Sequence, residues 1–154
     1  MTLGALTDQL AEILKRENVP VDSGFTHTAD MFAVRHAINR HGDEKVEKSQ
    51  GQLVLTEGDV ASFADAIHRP DAYIIGARNP RKQDVIGYLK QLSDGNLLYL
   101  EEVRSGRRTL AMASARKYPG TTDFETIRNR IVPSYARGDT GDVRIVYPAG
   151  AARK

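Results

Sequence analysis

The sequence predicts an α+β fold in which N-terminal helices pack on a small antiparallel sheet. Apolar residues recur at helical spacing before residue 70, and they alternate at strand spacing after residue 84. Short glycine-containing turns separate the alternating segments, as expected for a meander of strands. The chain has 154 residues, of which 40% are hydrophobic, so we expect a single domain with a full core over residues 1–154.

Two helices are predicted in the first 42 residues. Residues 3–17 place leucine and isoleucine on one helical face, and Asn18 follows as a stop. Thr28 can cap a second helix over Ala29–Arg40, because a threonine oxygen accepts from a free N–H of the first turn. Gly42 then supplies the C-terminal stop of this helix.

A third helix is predicted before the pattern changes. Thr56 and Asp59 resemble a capping box, and the apolar residues that follow have helical spacing up to Pro70. The preceding residues 43–52 are polar, and we expect a loop there. These features place all three predicted N-terminal helices ahead of the first predicted strand.

The second half of the chain is predicted to be mainly strands. Residues 84–92, 96–104 and 107–115 have the composition of strands, and Ser93-Asp94-Gly95 and Ser105-Gly106 are the turns between them. A capping-box pattern predicts a short helix near 123–131, and Asp142–Tyr147 has the composition of one more strand. The order of helices first and meander second is the basis for the α+β class.

Charge and composition restrict the classes of function. Nine basic and four acidic residues lie between Arg78 and Lys117, and the run Arg104–Lys117 has basic residues and no acid. Such a run fits either a polyanion-binding surface or a charged, solvated sheet edge. The chain has no cysteine and no apolar run long enough for a membrane span, so we expect no thiol chemistry and no membrane partner.

Several sequence blocks resemble one family in the same order. The first is Arg35–Gly42, which is similar to an RHxxxxHG motif. A later one is Tyr99–Gly106, which is similar to a YxEEVRxG strand, and Leu110–Ser114 is similar to the strand that follows it. Between them lie Gly51-Gln52 with Thr56 and Asp59, the turn Pro70-Asp71, and Tyr88 with Lys90. These blocks resemble the C-terminal domain of MuF-type phage head-morphogenesis proteins. The resemblance covers about residues 24–118 and leaves 119–154 as a C-terminal extension.

This resemblance implies a fold and a reaction. MuF-type domains are related to toxins of the barnase–EndoU–colicin–RelE-like (BECR) fold, which pack helices on a small antiparallel sheet and cleave RNA without a metal ion. It therefore implies an RNA substrate, no cofactor and action in the bacterial cytoplasm. Delivery by a phage or secretion within a larger polypeptide would fit the same resemblance. A toxin of this kind also implies an inhibitor, which we expect to be acidic and to cover the run Arg104–Lys117.

Histidines are the expected proton carriers of such a reaction. Cleavage without metal needs a base for the 2′-OH proton and an acid for the leaving oxygen, and the histidine pKa suits both tasks. His36 and His41 lie in the motif, although about 140° apart around a regular helix. The alternative is that His36 is a surface residue and His41 a core or capping residue. His27 and His68 are weaker candidates, and the four histidines lack the spacing of zinc ligands.

Cationic and hydroxyl side chains are the expected phosphate ligands. Glu101 and Glu102 are adjacent in a predicted strand, so only one of them can face the substrate; both are alternatively cross-strand partners of lysine or arginine. The basic loop Arg78–Lys82 either holds substrate or is a solvated turn. With the two histidines, the predicted catalytic residues are Lys90, Arg104 and Ser114, and the predicted substrate-binding residues are Arg35, Tyr88, Arg108, Arg116 and Lys117.

Two other functions remain open at this point. A non-catalytic domain that binds nucleic acid or protein needs only the basic surface, whereas an enzyme needs an acid–base group beside converging cations. A toxin that transfers ADP-ribose on a similar scaffold is the other alternative. No glycine-rich phosphate loop supports a nucleotide cofactor.

Overall fold

The computed structural model describes residues 2–41, 51–135 and 142–149. It confirms the predicted α+β class. In chain order, the elements are β1 (Thr2–Ala5), α1 (Asp8–Arg16), β2 (Thr26–Thr28), α2 (Met31–His41), α3 (Glu57–Val60), α4 (Phe63–His68), β3 (Ala72–Arg78), β4 (Asp84–Leu92), β5 (Gly95–Arg104), a 3₁₀ turn (Ser105–Arg107), β6 (Thr109–Tyr118), α5 (Phe124–Tyr135) and β7 (Arg144–Val146).

The described strands form one seven-stranded sheet in the order β1-β2-β6-β5-β4-β3-β7. Strands β3 to β6 are the antiparallel meander, and each pairs with the next along the chain. The sheet is larger than predicted, and it is not purely antiparallel, because β2 pairs with β6 in parallel. This parallel pair brings the N-terminal segment beside the end of the meander, where it positions the candidate site.

The two faces of the sheet carry separate hydrophobic clusters. On the first face, Leu10 of α1, Val34 of α2 and Phe63 of α4 belong to one buried cluster with Tyr88 and Tyr99 of the sheet. On the second face, α5 covers part of the sheet with residues Phe124, Ile127 and Ile131. The N-terminal helices therefore share one face, as predicted, while the C-terminal helix covers a portion of the other.

The start of the chain is a correction to the sequence prediction. Residues 2–5 form strand β1, and helix α1 begins only at Asp8, where the Thr7 hydroxyl accepts from the Leu10 N–H. Gly4 has a φ of 111°, which a helix does not allow. The β1 backbone instead pairs with β2, so tertiary pairing overrides the helical spacing of the leading leucines.

Other differences concern bounds and one missed strand. The third predicted helix is divided into α3 and α4, while its predicted capping contact exists: the Thr56 backbone N–H donates to the Asp59 carboxylate at 2.9 Å. Strand β3 was not predicted, because it is buried on both faces and shows no alternation. The predicted strand 107–115 is shifted to Thr109–Tyr118.

The C-terminal elements agree with prediction more closely. Helix α5 overlaps the predicted 123–131 and continues to Tyr135, and β7 lies within the predicted Asp142–Tyr147. Most of the predicted loop 43–52, with Gly42, lies outside the described residues, and so does the His41 side chain. Among the described helices, none has the length and apolar character to cross a membrane.

Candidate active site

Strand β5 carries two adjacent glutamates whose surroundings differ completely. Side chains alternate across a strand, so Glu101 points to the first face and Glu102 to the second. The first face is closed by the N-terminal helices, whereas the second face at this end of β5 lies beyond the residues that α5 covers. The sequence predicted the opposite orientations, and the structure decides which glutamate is near solvent.

Glu101 lies in a dry hydrogen-bonded cluster. Its carboxylate oxygens lie 2.9 and 3.0 Å from Nδ1 of His27, and the Tyr88 hydroxyl donates to Oε1 at 2.7 Å. All three residues are fully buried. Burial raises the pKa of the Glu101 carboxyl, and the hydrogen bonds from His27 and Tyr88 offset only part of that rise. This cluster joins β2, β4 and β5 and cannot touch a substrate.

Glu102 is held between two arginines on the second face. Its Oε1 accepts from Nε and Nη2 of Arg104 at 2.9 and 2.6 Å, and its Oε2 accepts from Nη2 of Arg81 at 3.0 Å. Asn79 Nδ2 donates to Oε2 at 3.2 Å. The Glu102 side chain is only 8% exposed, whereas those of Arg104 and Arg81 are 38% and 70% exposed, so the cations reach solvent and the carboxylate lies behind them.

The loop between β3 and β4 is built to present Arg81. Asn79 Oδ1 accepts from the backbone N–H groups of Arg81 and Gln83, both at 3.0 Å. The Lys82 backbone has a φ of 63°, a left-handed conformation that turns the chain back towards β4. This loop is the basic segment Arg78–Lys82 of the sequence analysis, and its local hydrogen bonds aim one of its cations at Glu102.

A pocket of about 250 Å³ opens where β2, β5 and β6 meet. Arg104 and Arg107 contribute cations to it, and Thr28 and Thr109 contribute hydroxyl groups; Asp30, Ala111 and Met112 complete the lining. Parallel pairing places Thr28 beside Ala111, and antiparallel pairing places Thr109 beside Arg104. We call this cavity, with Glu102 and Arg81 at its side, the β5 pocket.

The β5 pocket has the chemistry of an anion site. Guanidinium groups and hydroxyl groups are donors to phosphate oxygens, and arginine binds them in a bidentate fashion. Arg107 lies in the 3₁₀ turn and, among the described residues, has no acidic partner. A carboxylate behind the arginines adds a group that can accept a proton. The site therefore places phosphate ligands in the cavity and a carboxylate, Glu102, beside it, bound to the lining residue Arg104.

Other cavities among the described residues are larger but offer an anion less. One of about 290 Å³ is lined by Arg78 and Arg144, and each of these arginines is already paired with a lining carboxylate, Arg78 with Asp84 and Arg144 with Glu17. A second, of about 860 Å³, lies beside α1 and the loop that follows it, and it is lined mainly by short or apolar side chains with few charges. Another of about 500 Å³ includes Lys117, whose ammonium is already paired with Asp59 and Asp94. Size alone therefore does not identify the site, and the donor chemistry favours the β5 pocket.

The predicted residues of α2 lie on an exposed face. Arg35 and His36 are exposed, and the His36 ring lies nearly parallel to that of Phe32, with 6.3 Å between the ring centroids. His41 ends the helix, but its side chain is outside what the structure describes. Ser114 is partly exposed, and it pairs with Leu100, so it lies on the same face as Glu102. Arg104 is the predicted catalytic residue that the structure brings to the pocket itself.

Two predicted substrate-binding residues, Tyr88 and Lys117, are buried. Tyr88 is completely buried and donates to Glu101, so it has no surface for RNA. Lys117 is 5% exposed and donates to both Asp59 and Asp94. Burial lowers the pKa of Lys117, but the hydrogen bonds that its ammonium donates to the two carboxylates outweigh this and raise it, so the ammonium stays charged and occupied.

Three further predicted cations lie in other surroundings. Lys90 Nζ donates to the Arg69 carbonyl at 2.7 Å, beside Asp65, and not to the β5 pocket. Arg108 pairs with Asp22 at 2.6 Å and packs over Phe25, so it holds the segment before β2. Arg116 is half-buried and pairs along the sheet with Leu98. The acid-free run in the sequence is thus partly neutralised by acids distant in the chain.

Several residues at or beside the β5 pocket are absent from the predicted catalytic and substrate-binding residues. They are Glu102, Asn79, Asp30, Arg107 and Thr28. Alternation signalled that one glutamate of the pair would face the open side, but no local pattern said which. The basic loop Arg78–Lys82 was the second available signal. Among the described residues, no three histidine, aspartate or glutamate side chains are grouped as metal ligands would be.

The family of the chain follows from comparison with known sequences. Residues 4–125 match the family described as phage-Barnase-EndoU-ColicinE5/D-RelE like nuclease3. The chain belongs to this family. The match confirms the BECR-type nuclease relationship and supports a nuclease activity, while the link to MuF-type proteins remains a prediction. No curated protein and no solved structure shows significant similarity to this nuclease.

Proposed function

We propose that this BECR-type nuclease is an endoribonuclease that cleaves RNA by attack of the 2′-OH, without a metal ion. One observation carries the proposal: Glu102 lies between Arg81 and Arg104 at the side of a pocket with further cationic and hydroxyl donors. Attack by a 2′-OH needs a base and stabilisation of a negatively charged phosphorane, and this arrangement supplies both.

In the proposed reaction, phosphate oxygens of the substrate replace Glu102 as acceptors from the arginine N–H groups. The released carboxylate oxygen takes the 2′-OH proton while the 2′ oxygen attacks phosphorus. Arg104 and Arg107 stabilise the phosphorane, and the bond from phosphorus to the 5′ oxygen breaks. The products are a 2′,3′-cyclic phosphate and a 5′-OH, and an acid gives its proton to the leaving 5′ oxygen.

A histidine of α2 is our candidate for that acid. His36 and His41 are both in the family-like motif, and Asp30, which lines the β5 pocket, immediately precedes the helix. We expect the purified chain to cut single-stranded RNA in excess EDTA and to leave cyclic phosphate ends. The His36→Ala or His41→Ala change should lower the rate about 10²-fold, the effect typical of a lost acid–base group.

The same assay separates the alternatives. A DNA oligonucleotide of the same sequence should stay intact, because it has no 2′-OH. Cleavage that stops in EDTA and returns with Mg²⁺ would overturn the metal-independent mechanism. RNA binding without cleavage would favour a non-catalytic module, and transfer of label from NAD to a protein would favour ADP-ribosylation. Full activity in both histidine variants would show that the acid lies elsewhere.

We further propose that an acidic inhibitor protein restrains the nuclease in the bacterial cytoplasm, where RNA is its target. The exposed cations of the β5 pocket are the expected contact, because an inhibitor seated there would also exclude RNA. Neutralising Arg104 and Arg107 of the pocket together with the neighbouring exposed Arg108 should weaken inhibitor binding and reduce its salt dependence. The exposed Arg69→Gln variant is the matched control. Unchanged affinity of the folded triple variant would place the interface on another surface.

A further inference from the structure

Helix α2 presents two aromatic rings to solvent in an unusual arrangement. Phe32 is 79% exposed, the most exposed large hydrophobic residue among those described, and His36 is exposed one turn later. Their rings lie within 13° of parallel, with centroids 6.3 Å apart. Residues four apart on a helix are surface neighbours, so the backbone itself holds the rings side by side.

The distance between the two ring centroids is close to the spacing that a third ring between them needs. Stacked bases repeat at about 3.4 Å, so a base enclosed by two rings needs about 6.8 Å between them. The ring centroids are 6.3 Å apart, which is the upper limit of the distance between the ring planes, so side-chain rotation has to open the pair by at least about half an ångström to admit a base. Aromatic side chains and histidine are the residues on which proteins stack unpaired RNA bases.

The surrounding charge also favours a nucleic-acid strand. Arg35 and Arg40 are exposed on the same helix, and the segment Met31–His41 contains no acidic residue. Phe32 lies two residues after Asp30 of the β5 pocket, which limits their Cα separation to about 7 Å. The two rings therefore lie on the helix that begins at the edge of the β5 pocket, and we expect one RNA strand to contact both.

We propose that Phe32 and His36, the aromatic pair, hold an unpaired nucleobase of the RNA and so restrict the substrate to single strands. This inference rests on the proposed function, because it names the substrate feature that the same site takes. A paired base in a duplex cannot enter between the rings, whereas a splayed base can. The preference for single-stranded over double-stranded RNA then comes from α2, and the cleavage reaction takes place at the β5 pocket.

The test uses a single-stranded 2′-O-methyl RNA of ten nucleotides, which lacks the attacking hydroxyl and stays intact during binding. Fluorescence anisotropy should show that Phe32→Ala raises the Kd at least about fivefold, as expected for one lost stacking partner. Phe32→Trp should restore tight binding. Met31→Ala is the matched control, because Met31 is the neighbouring exposed apolar residue at 53% exposure, and its Kd should stay within twofold.

Two further probes sharpen the result. An abasic oligonucleotide should bind the wild type and Phe32→Ala equally, and a duplex should show no dependence on Phe32. His36→Phe should keep the single-strand affinity while it lowers cleavage if His36 is also the acid, which separates stacking from proton transfer.

The proposal is overturned if folded Phe32→Ala binds within twofold of the wild type, or if Met31→Ala loses as much affinity. It is also overturned if Phe32→Ala weakens only a protein inhibitor, because the pair would then be a protein contact. Binding of uncleavable RNA does not depend on catalysis. If Phe32→Ala weakens RNA binding but the wild type does not cleave RNA, only the proposed endoribonuclease activity is refuted. If the wild type cleaves RNA in EDTA but Phe32→Ala binds RNA as tightly as the wild type, only the proposed role of the aromatic pair is refuted.

Discussion

Glu101 and Glu102 are chemically identical neighbours, yet the fold gives them opposite tasks. Glu101 is enclosed on the first face with His27 and Tyr88, where no arginine reaches it. Glu102 meets Arg81 and Arg104 on the second face, and both arginines extend to solvent. The comparison shows that the two faces of the sheet give neighbouring residues of one strand different surroundings: one face holds a carboxylate among buried donors, and the other holds the carboxylate that we propose as the base.

The difference in burial between Glu101 and Glu102 also explains which side chains donate hydrogen bonds to each carboxylate. A buried carboxylate needs hydrogen bonds from groups that are themselves buried, and tyrosine and histidine on neighbouring strands provide them without a large desolvated cation. A carboxylate near solvent can be paired with arginines whose charge is stabilised by water. Such arginines remain available to an incoming anion, which the His27 and Tyr88 donors are not.

The largest expected effect is on stability at Glu101. The Glu101→Ala change leaves His27 and Tyr88 buried without their common acceptor, so we expect the free energy of unfolding to fall by about 3–5 kcal/mol. Urea denaturation measures this change. Glu125→Ala is the control, because Glu125 is an exposed residue of a helical ion pair and should cost less than about 1 kcal/mol. Equal costs at the two sites would remove the structural role assigned to Glu101.

The next effect is on catalysis at Glu102. The Glu102→Gln change removes the proposed base but keeps the shape of the side chain, so we expect RNA cleavage to slow about 10²-fold or more. The free energy of unfolding should fall by less than at Glu101, by about 1–3 kcal/mol, because the amide keeps the shape of the buried side chain and the two arginines can turn to water. Cleavage rate and urea denaturation are measured on the same sample. Glu57→Gln, an exposed change on α3, serves as the control and should leave both quantities unchanged.

The same experiment tests whether a residue other than Glu102 is the general base. If Glu102→Gln keeps the wild-type rate while Arg104→Ala loses it, Glu102 serves only to position the arginine. Asp30 would then be the remaining carboxylate of the β5 pocket to test.

The smallest effect is a pH dependence of stability. The pKa of Glu101 is raised in the folded state, so its proton stabilises the fold fully below the unfolded pKa of about 4.3. This contribution is lost as the pH rises through the folded pKa. We expect the free energy of unfolding of the wild type, relative to Glu101→Gln, to decrease from pH 4 upwards. Urea titrations at several pH values measure it, and a constant difference would contradict the assigned direction.

Some structural features of this protein could be predicted from the sequence because they depend only on residues that are near each other in the chain. Alternation in residues 84–104 depends only on the two-residue period of a strand, and it correctly placed the two glutamates on opposite faces. The contact between Thr56 and Asp59 spans three residues, so a short motif was sufficient to predict it.

The candidate site depends on residues that are far apart in the chain. Which glutamate is dry depends on where α1, α2, α4 and α5 pack, and Arg81 reaches Glu102 only because β3 and β4 pair beside β5. Likewise, the leading residues became strand β1 because β2 offered a partner. Burial and pairing of distant charges are non-local energies, so the sequence alone determined the alternatives, and tertiary packing decided between them.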